Sequence, residues 1–439
     1  MKKIIFIGLL LLNSAIYGQV LDEREQSKVL DQILGERFNK VLPRLMDRSG
    51  IDMWILISRE YNEDPVLRTM LPSTWLNVRR RTMLVFSKEN DTVNKLAIAR
   101  YNIGDNIQSA WKKEEQPDQW QALIDIIKEK DPEKIGLNIS TDFGIADGLV
   151  KTDYDEFMEV LPSDYKNRIV SAEELAVGWI ETRTIREMVI YSSLVAITHE
   201  IIAEAFSADV IDPGVTTTDD VVWWMRQKVT DMGLKTWFHP TVDIQRSKEK
   251  LVDHITAFSD ENGSSVILPG DLLHCDFGIT YLRLNTDCQQ MAYVLRNGET
   301  TAPEFLQQAF EKGNELQDIL TSNFETGLSG NEILSQSLEE AREKGLKASI
   351  YTHPLGLYGH SAGPTIGMWD QQDGVPGSGD YLLYEDTVYA IELNTEVDIP
   401  EWEKSIRIML EEDGFWGEEG FRYVNQRQRK LILINSKKI

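Results

Sequence analysis

Two unequal parts, an α/β layered half followed by a larger α+β half, are what this sequence predicts, and three observations carry it. From residue 20 to about 170, short apolar runs alternate with segments of helical spacing, the signature of strands layered with helices. The pattern changes character between residues 165 and 185. Beyond that point helices with polar start signals come in blocks, separated by β-like runs, which points to an α+β unit of about 265 residues. The expected division is a leader at 1–18, a first domain at 19–171 and a second at 172–439.

The leader reads as a secretory signal. Met1-Lys2-Lys3 precedes the apolar run Ile4 to Leu12, and small and polar residues lead to Tyr17-Gly18-Gln19. Asn13 interrupts the run, which is shorter than the ~20 residues a bilayer needs. Cleavage near Gly18 and a periplasmic or secreted chain without a stable membrane anchor are therefore expected. In the first domain, Val29, Leu30, Ile33, Leu34 and Phe38 share one helix face. Gly50–Ile57 reads as a turn entering a buried strand, Met83–Phe86, Lys95–Ala99 and Ile135–Ile139 read as further strands, and Gln121–Lys130 as a helix. In the second, helical spacing runs from Ile185 to Phe206. Thr217 with Asp220, and Ser329 with Glu332, form capping boxes that start helices stopping near Gly233 and Gly345.

Composition narrows the function. Hydrophobic residues make up 42% of the 439 and charged ones 27%, which excludes a disordered, collagen-like or polytopic membrane chain. The net charge of −25 repels phosphate backbones and anionic lipid, so no nucleic-acid partner is expected. Two cysteines exclude a disulfide framework and a cysteine-rich zinc module.

The chemistry concentrates in four stretches. Asp276 and Asp287 stand eleven residues apart in strand-like sequence. A hairpin pairing them directly would put both carboxylates on one face, where a cation relieves their repulsion. His353 and His360 lie seven apart in a Gly-rich segment. Glu392 follows the apolar run Val388–Ile391, and Glu411 follows Ile406–Leu410. A carboxylate ending a buried β run is costly unless something neutralises it. Glu411 keeps the strand parity of Met409, with Glu412 as its competitor. If Asp276 faces Asp287, the same register sets Cys275 opposite Cys288, either as a cross-strand disulfide or as two reduced thiols. His274, two residues before Asp276, falls on the metal face and is a candidate supporting partner.

Asp, Asp eleven on, then His, Glu and Glu, in that order, resembles the pita-bread metallopeptidases, the family of Xaa-Pro aminopeptidase, prolidase, methionine aminopeptidase and creatinase. The resemblance implies a creatinase-like α/β N-terminal domain before a pita-bread catalytic domain. It also implies that Asp276, Asp287, His353, Glu392 and Glu411 hold two divalent metal ions. An oxygen-rich set of this kind suits Mn, with Co or Zn able to substitute. By the same resemblance Glu392 moves protons, His360 hydrogen-bonds the developing oxyanion, the substrate is a peptide cleaved before proline, and the chain is a homodimer.

The sequence departs from the family pattern in the surrounding shell. Cys288-Gln289-Gln290 stand where a Thr and an Arg are usual, and Ser259 where a further active-site His is usual, with His254 and His239 off the spacing. Leu393-Asn394 follow Glu392 in place of Pro-Gly, and Met409 follows Arg407-Ile408 where the family shows Glu. These changes leave open a metal-binding protein with altered or lost peptidase activity. A creatinase-like C–N hydrolase, which works without metal, is disfavoured by the retained carboxylates. Gly359-His360-Ser361-Ala362-Gly363 fits G-x-S-x-G, but Pro364 forbids the helix that a nucleophile elbow needs, and no His follows His360.

Overall fold

The computed structural model describes residues 20–90, 92–247 and 265–435, so the expected leader, Ser259 and His254 lie outside the described residues. The first half is built on one six-stranded mixed sheet. Its order is Gln108–Ser109, Thr92–Ile98, Arg81–Glu89, Met53–Arg59, Ile135–Leu137, Ile169–Ser171. Strand alternation sorts its core into two layers. Met53, Ile55, Ile57, Met83 and Val85 face the helices Gln119–Lys130 and Lys151–Val160. Trp54, Leu56, Leu84 and Phe86 face the helices at 23–49 and Glu173–Glu181. The latter helix follows the last strand and buries Leu175, Trp179 and Ile180 in this first core.

The N-terminal helix shows how local chemistry sets the boundaries. The Asp22 side chain accepts from Glu25 N–H at 3.0 Å and starts Glu23–Glu36. A π-type turn, Arg37–Val41, leads into Leu42–Ser49, which Gly50 ends with φ 63°.

The second half packs antiparallel strands between two helix pairs. Ile185–Ala205 and Thr218–Asp231 cover one side, and Glu304–Ser322 and Gly330–Glu343 the other. Both expected capping boxes form, at Thr217/Asp220 and Ser329/Glu332, and Thr184/Glu187 adds a third. Ile185–Ala205 has the length and hydropathy of a membrane span, but Tyr191, Leu194, Val195 and Ile201 are packed in the protein core.

The strands that matter for the site are Leu272–Phe277 and Cys288–Val294, paired antiparallel. Gln289 stands opposite Asp276 and Phe277 opposite Cys288, so the expected direct pairs Asp276–Asp287 and Cys275–Cys288 do not form. Between these strands the chain inserts a smaller hairpin, Ile279–Tyr281 with Leu284–Asn285, whose turn residues Leu282 and Arg283 have φ of 50° and 64°. That insertion moves the register by two residues. A shift of two preserves face, so Asp276 and Gln289 still share the side to which Leu272 and Met291 belong. Cys275 and Cys288 are both buried free thiols on the other side.

Candidate metal centre

Five side chains expected from the sequence converge at the middle of the second half, each delivered by a different element end. Asp276 comes from the strand Leu272–Phe277, and Asp287 from the residue before Cys288–Val294. His353 opens the strand His353–Leu355. Glu392 sits in the joint between Thr387–Ala390 and Leu393–Ile399, and Glu411 just past Lys404–Leu410. Backbone hydrogen bonds between Gln289 and Glu411, at 2.9 and 3.2 Å, clamp the last of these elements to the central strand pair.

Ligand atoms of Asp276, Asp287 and Glu411 all lie within 4.8 Å of one another, and so do those of His353, Glu392 and Glu411. Glu411 belongs to both sets. His353 Nε2 is 3.6 Å from Asp287 Oδ2, 3.6 Å from Glu411 Oε1 and 4.0 Å from Glu392 Oε2. The other imidazole nitrogen, Nδ1, donates to the Pro354 carbonyl at 3.0 Å, which turns Nε2 toward the carboxylates. All four of the groups that could hold a metal among the described residues draw on residues 199–412.

The electrostatics of this cluster are those of a site made for cations. Burial, with Asp287 and Glu392 beside them, holds the Asp276 and Glu411 carboxyls well above the usual carboxylate range. Burial raises Glu392 to about 7, against the opposing pull of His353. Burial alone would lower His353, but Asp287 and Glu392 outweigh it and hold the imidazole above its ordinary value. Asp276 Oδ1, Asp287 Oδ1, His353 Nε2 and Glu411 Oε1 are buried without a hydrogen-bond partner among the described residues. Four such atoms aimed at one volume are expensive unless divalent ions satisfy them, so these residues fit the metals that the sequence implies.

Glu412 faces away. Its Oε2 meets His199 Nε2 at 2.6 Å, and its Oε1 accepts from Gln290 Nε2 at 3.1 Å and Gln428 N–H at 2.8 Å. His199, which the sequence reading missed, lies on the helix Ile185–Ala205, with Cys288 Sγ 3.8 Å from the same ring nitrogen. Nothing in the sequence of this helix marks it, since Arg186, Glu187, Glu200 and Glu204 also interrupt the apolar positions. Burial pulls His199 down, but Glu412 overrides it and keeps the ring above its ordinary value.

His274 reaches the cluster indirectly. Its Nε2 is 2.9 Å from Gln289 Oε1, and the Gln289 amide donates in turn to Glu392 Oε1. On its far side His274 Nδ1 is 3.6 Å from Asp243. A line Asp243–His274–Gln289–Glu392 thus fixes one Glu392 oxygen.

His360 stands at the mouth. Its ring is 4.7 Å from that of His353 and edge-on to Trp237 at 5.2 Å. Gly359 and Gly278 let Trp237 in, since a Cβ at either would collide with the indole. Burial, together with His353, holds His360 below the ordinary imidazole value. A cleft of about 1100 Å³ opens beside it between the two halves, lined by Trp237, Tyr358, Gly359, Lys235, Arg68 and Trp75. Ser361 lies in a segment without helix, so the G-x-S-x-G pattern forms no elbow.

Comparison with known proteins gives a family and a fold. Residues 192–413 match metallopeptidase family M24. No curated protein matches the chain in sequence. In structure it is similar to the X-Pro aminopeptidase from Thermotoga maritima MSB8, at 17% identity and TM-score 0.60 over 89% of this chain and 99% of that one. It is similar to the Xaa-Pro dipeptidase from Bacillus anthracis, at 18% identity and TM-score 0.56 over 94% and 100%. It is also similar to the N-terminal domain of the FACT complex subunit SPT16 from Cicer arietinum, at 11% identity and TM-score 0.53 over 94% and 98%. At these identities the likeness is one of fold.

Proposed function

The chain belongs to metallopeptidase family M24 and carries its two-domain pita-bread fold, and from that premise we propose that it is a dinuclear-metal exopeptidase releasing an N-terminal residue that precedes proline. Asp276, Asp287, His353, Glu392 and Glu411 would hold two divalent cations, Mn first by the hardness of the donor set. One observation carries the reading: four buried, unpartnered ligand atoms from separate elements share one small volume. Two structural neighbours, an X-Pro aminopeptidase and an Xaa-Pro dipeptidase, support the substrate class.

When bound, such a cation pair supplies Lewis acidity, acidifying a water and polarising the scissile carbonyl. Glu392 receives the water proton and passes it to the leaving nitrogen. Burial raises this carboxyl in the metal-free cluster, and bound cations would draw it back toward the ionised form that accepts a proton. Gln289 occupies one of its oxygens and leaves the other to work. His360 is neutral near pH 7 by its lowered value, so it donates an N–H to the developing oxyanion.

A second reading rests on Gln289 and Gln290, whose neutral amides contact Glu392 and Glu412 directly. Under it the metal stays bound while peptide turnover is altered or lost. Elemental analysis, combined with assays of Xaa-Pro dipeptides, longer Xaa-Pro peptides and creatine in Mn²⁺, separates the readings. Proline-dependent peptide cleavage that disappears in Asp287→Asn and His353→Ala, with the fold intact, is the expected result. Metal content near two per chain without turnover of either peptide class selects the second reading. Full activity in either variant refutes the site.

A further inference from the structure

The first half holds a cavity at odds with the charge of the whole. The chain carries 71 acidic and 46 basic side chains. Yet Arg59, Arg79, Arg80, Arg81, Arg100 and Lys113 line one cavity of about 840 Å³, against Glu60 and Glu156 alone. Arg59 and Arg81 are direct neighbours across the sheet, a like-charge pair that destabilises unless neutralised. Their neutralisation is visible: Arg59 meets Asp153 at 2.7 Å and Arg81 meets Glu156 at 2.6 Å. The other four cations have no carboxylate partner for their side chains among the described residues.

Two features show that these cations are held rather than scattered. The Arg79 guanidinium lies 5.2 Å from the Trp75 ring centre and 5.8 Å from that of Tyr101, cation–π contacts that seat it on the cavity wall. Arg80 has φ 54°, a backbone state that non-glycine residues seldom hold. Glu60 secures it, accepting the Arg80 N–H at 3.2 Å and donating its own N–H to the Arg80 carbonyl. Like charges gathered around one cavity repel one another, and a bound anion relieves that repulsion.

We propose that this cavity is an anion-binding site, separate from the carboxylate cluster, for a ligand presenting two or more carboxylate or phosphate groups. Two sources offer that chemistry. One is a free small anion. The other is an acidic stretch of a long peptide, because Trp75 lines both this cavity and the cleft beside Gly359.

The test is calorimetric titration of the full chain at low salt with N-acetyl-tetra-aspartate and with inorganic phosphate. Neither titration depends on catalysis, so the outcome is independent of the proposed peptidase activity. We expect at least one probe to bind, to weaken with salt, and to lose about tenfold affinity in an Arg79→Ala/Arg100→Ala variant. Preference for the peptide assigns an acidic peptide segment, and preference for phosphate a free anion. Arg80→Gly relieves the left-handed backbone while removing one cation, so it gives the same loss in a chain that folds at least as well. Absence of binding by both probes, or affinity unchanged in both variants, overturns the proposal.

Discussion

At the scale of single residues, the centre turns on two adjacent glutamates that face opposite ways. Glu411 points into the cluster with an unpartnered oxygen, while Glu412 is saturated by His199, Gln290 and Gln428. Glu411→Gln should therefore abolish tight binding of one metal equivalent, whereas Glu412→Gln should keep the metal and lower affinity by about 10–100-fold, as loss of a supporting contact does. Metal titration of both variants separates them, and equal losses would mean that the two residues share the role. The family resemblance proposed Glu411 as a ligand, and parity with Met409 favoured it over Glu412. His199 was not legible, because its partner stands 213 positions away and only the fold brings them together. His274 sits between these cases: alternation put it on the metal face, but its route through Gln289 needed the true register. A His274→Ala variant should lose roughly tenfold in rate or metal affinity. Unchanged kinetics and unchanged metal titration would remove the line from the mechanism.

At the scale of elements, the small hairpin between Asp276 and Asp287 does the positioning. The sequence reading recovered Ile185–Ala205, Thr218–Asp231 and Gly330–Glu343, whose capping boxes and apolar spacing are local signals, and missed Glu304–Ser322, which has no side-chain cap. It assumed one continuous hairpin from Asp276 to Asp287 and so misplaced the pairing by two residues. Nothing local marks the interruption: Leu282 and Arg283 occupy turn positions with positive φ that Asn or Gly would ordinarily advertise. Tertiary contact accounts for the choice. Leu282 is buried in the core, and Arg283 Nη1 reaches across to the first half, donating to the carbonyls of Leu71 at 2.8 Å and Thr69 at 3.1 Å. Arg283→Ala leaves those carbonyls unpaired at the seam and should cost about 1–3 kcal/mol. The two aspartates stand at the feet of this hairpin, so metal affinity should fall alongside stability. Denaturant unfolding with and without saturating metal measures both. A variant as stable as the parent would show that the turn is held by its own strands.

At the scale of the whole molecule, a chain of charge −25 concentrates buried carboxyls at one point, and this couples its stability to pH and metal together. Without metal, Asp276, Glu411 and Glu392 are held above the ordinary carboxylate range, Glu392 rising from 4.5 to about 7. The folded chain then keeps protons that the unfolded chain sheds. The sign follows directly: each such contribution to stability is fully present below the unfolded carboxylate value, and that of Glu392 is lost as pH rises through about 7. Divalent cations bind the ionised forms, and His353, also raised, must give up its proton to present Nε2. Both effects have the same direction, so metal binding releases protons and tightens with rising pH. The gain in Tm on adding saturating Mn²⁺ should therefore be small near about pH 5 and grow steadily toward about pH 8. Other buried carboxyls, such as Glu181 at about 7 beside Arg48 and Tyr381, tilt the metal-free curve the same way. They lie outside the cluster and are common to both measurements, so the difference between loaded and stripped protein isolates the centre. A gain that is flat across this range, or that shrinks as pH rises, would place the metal somewhere other than among these five side chains.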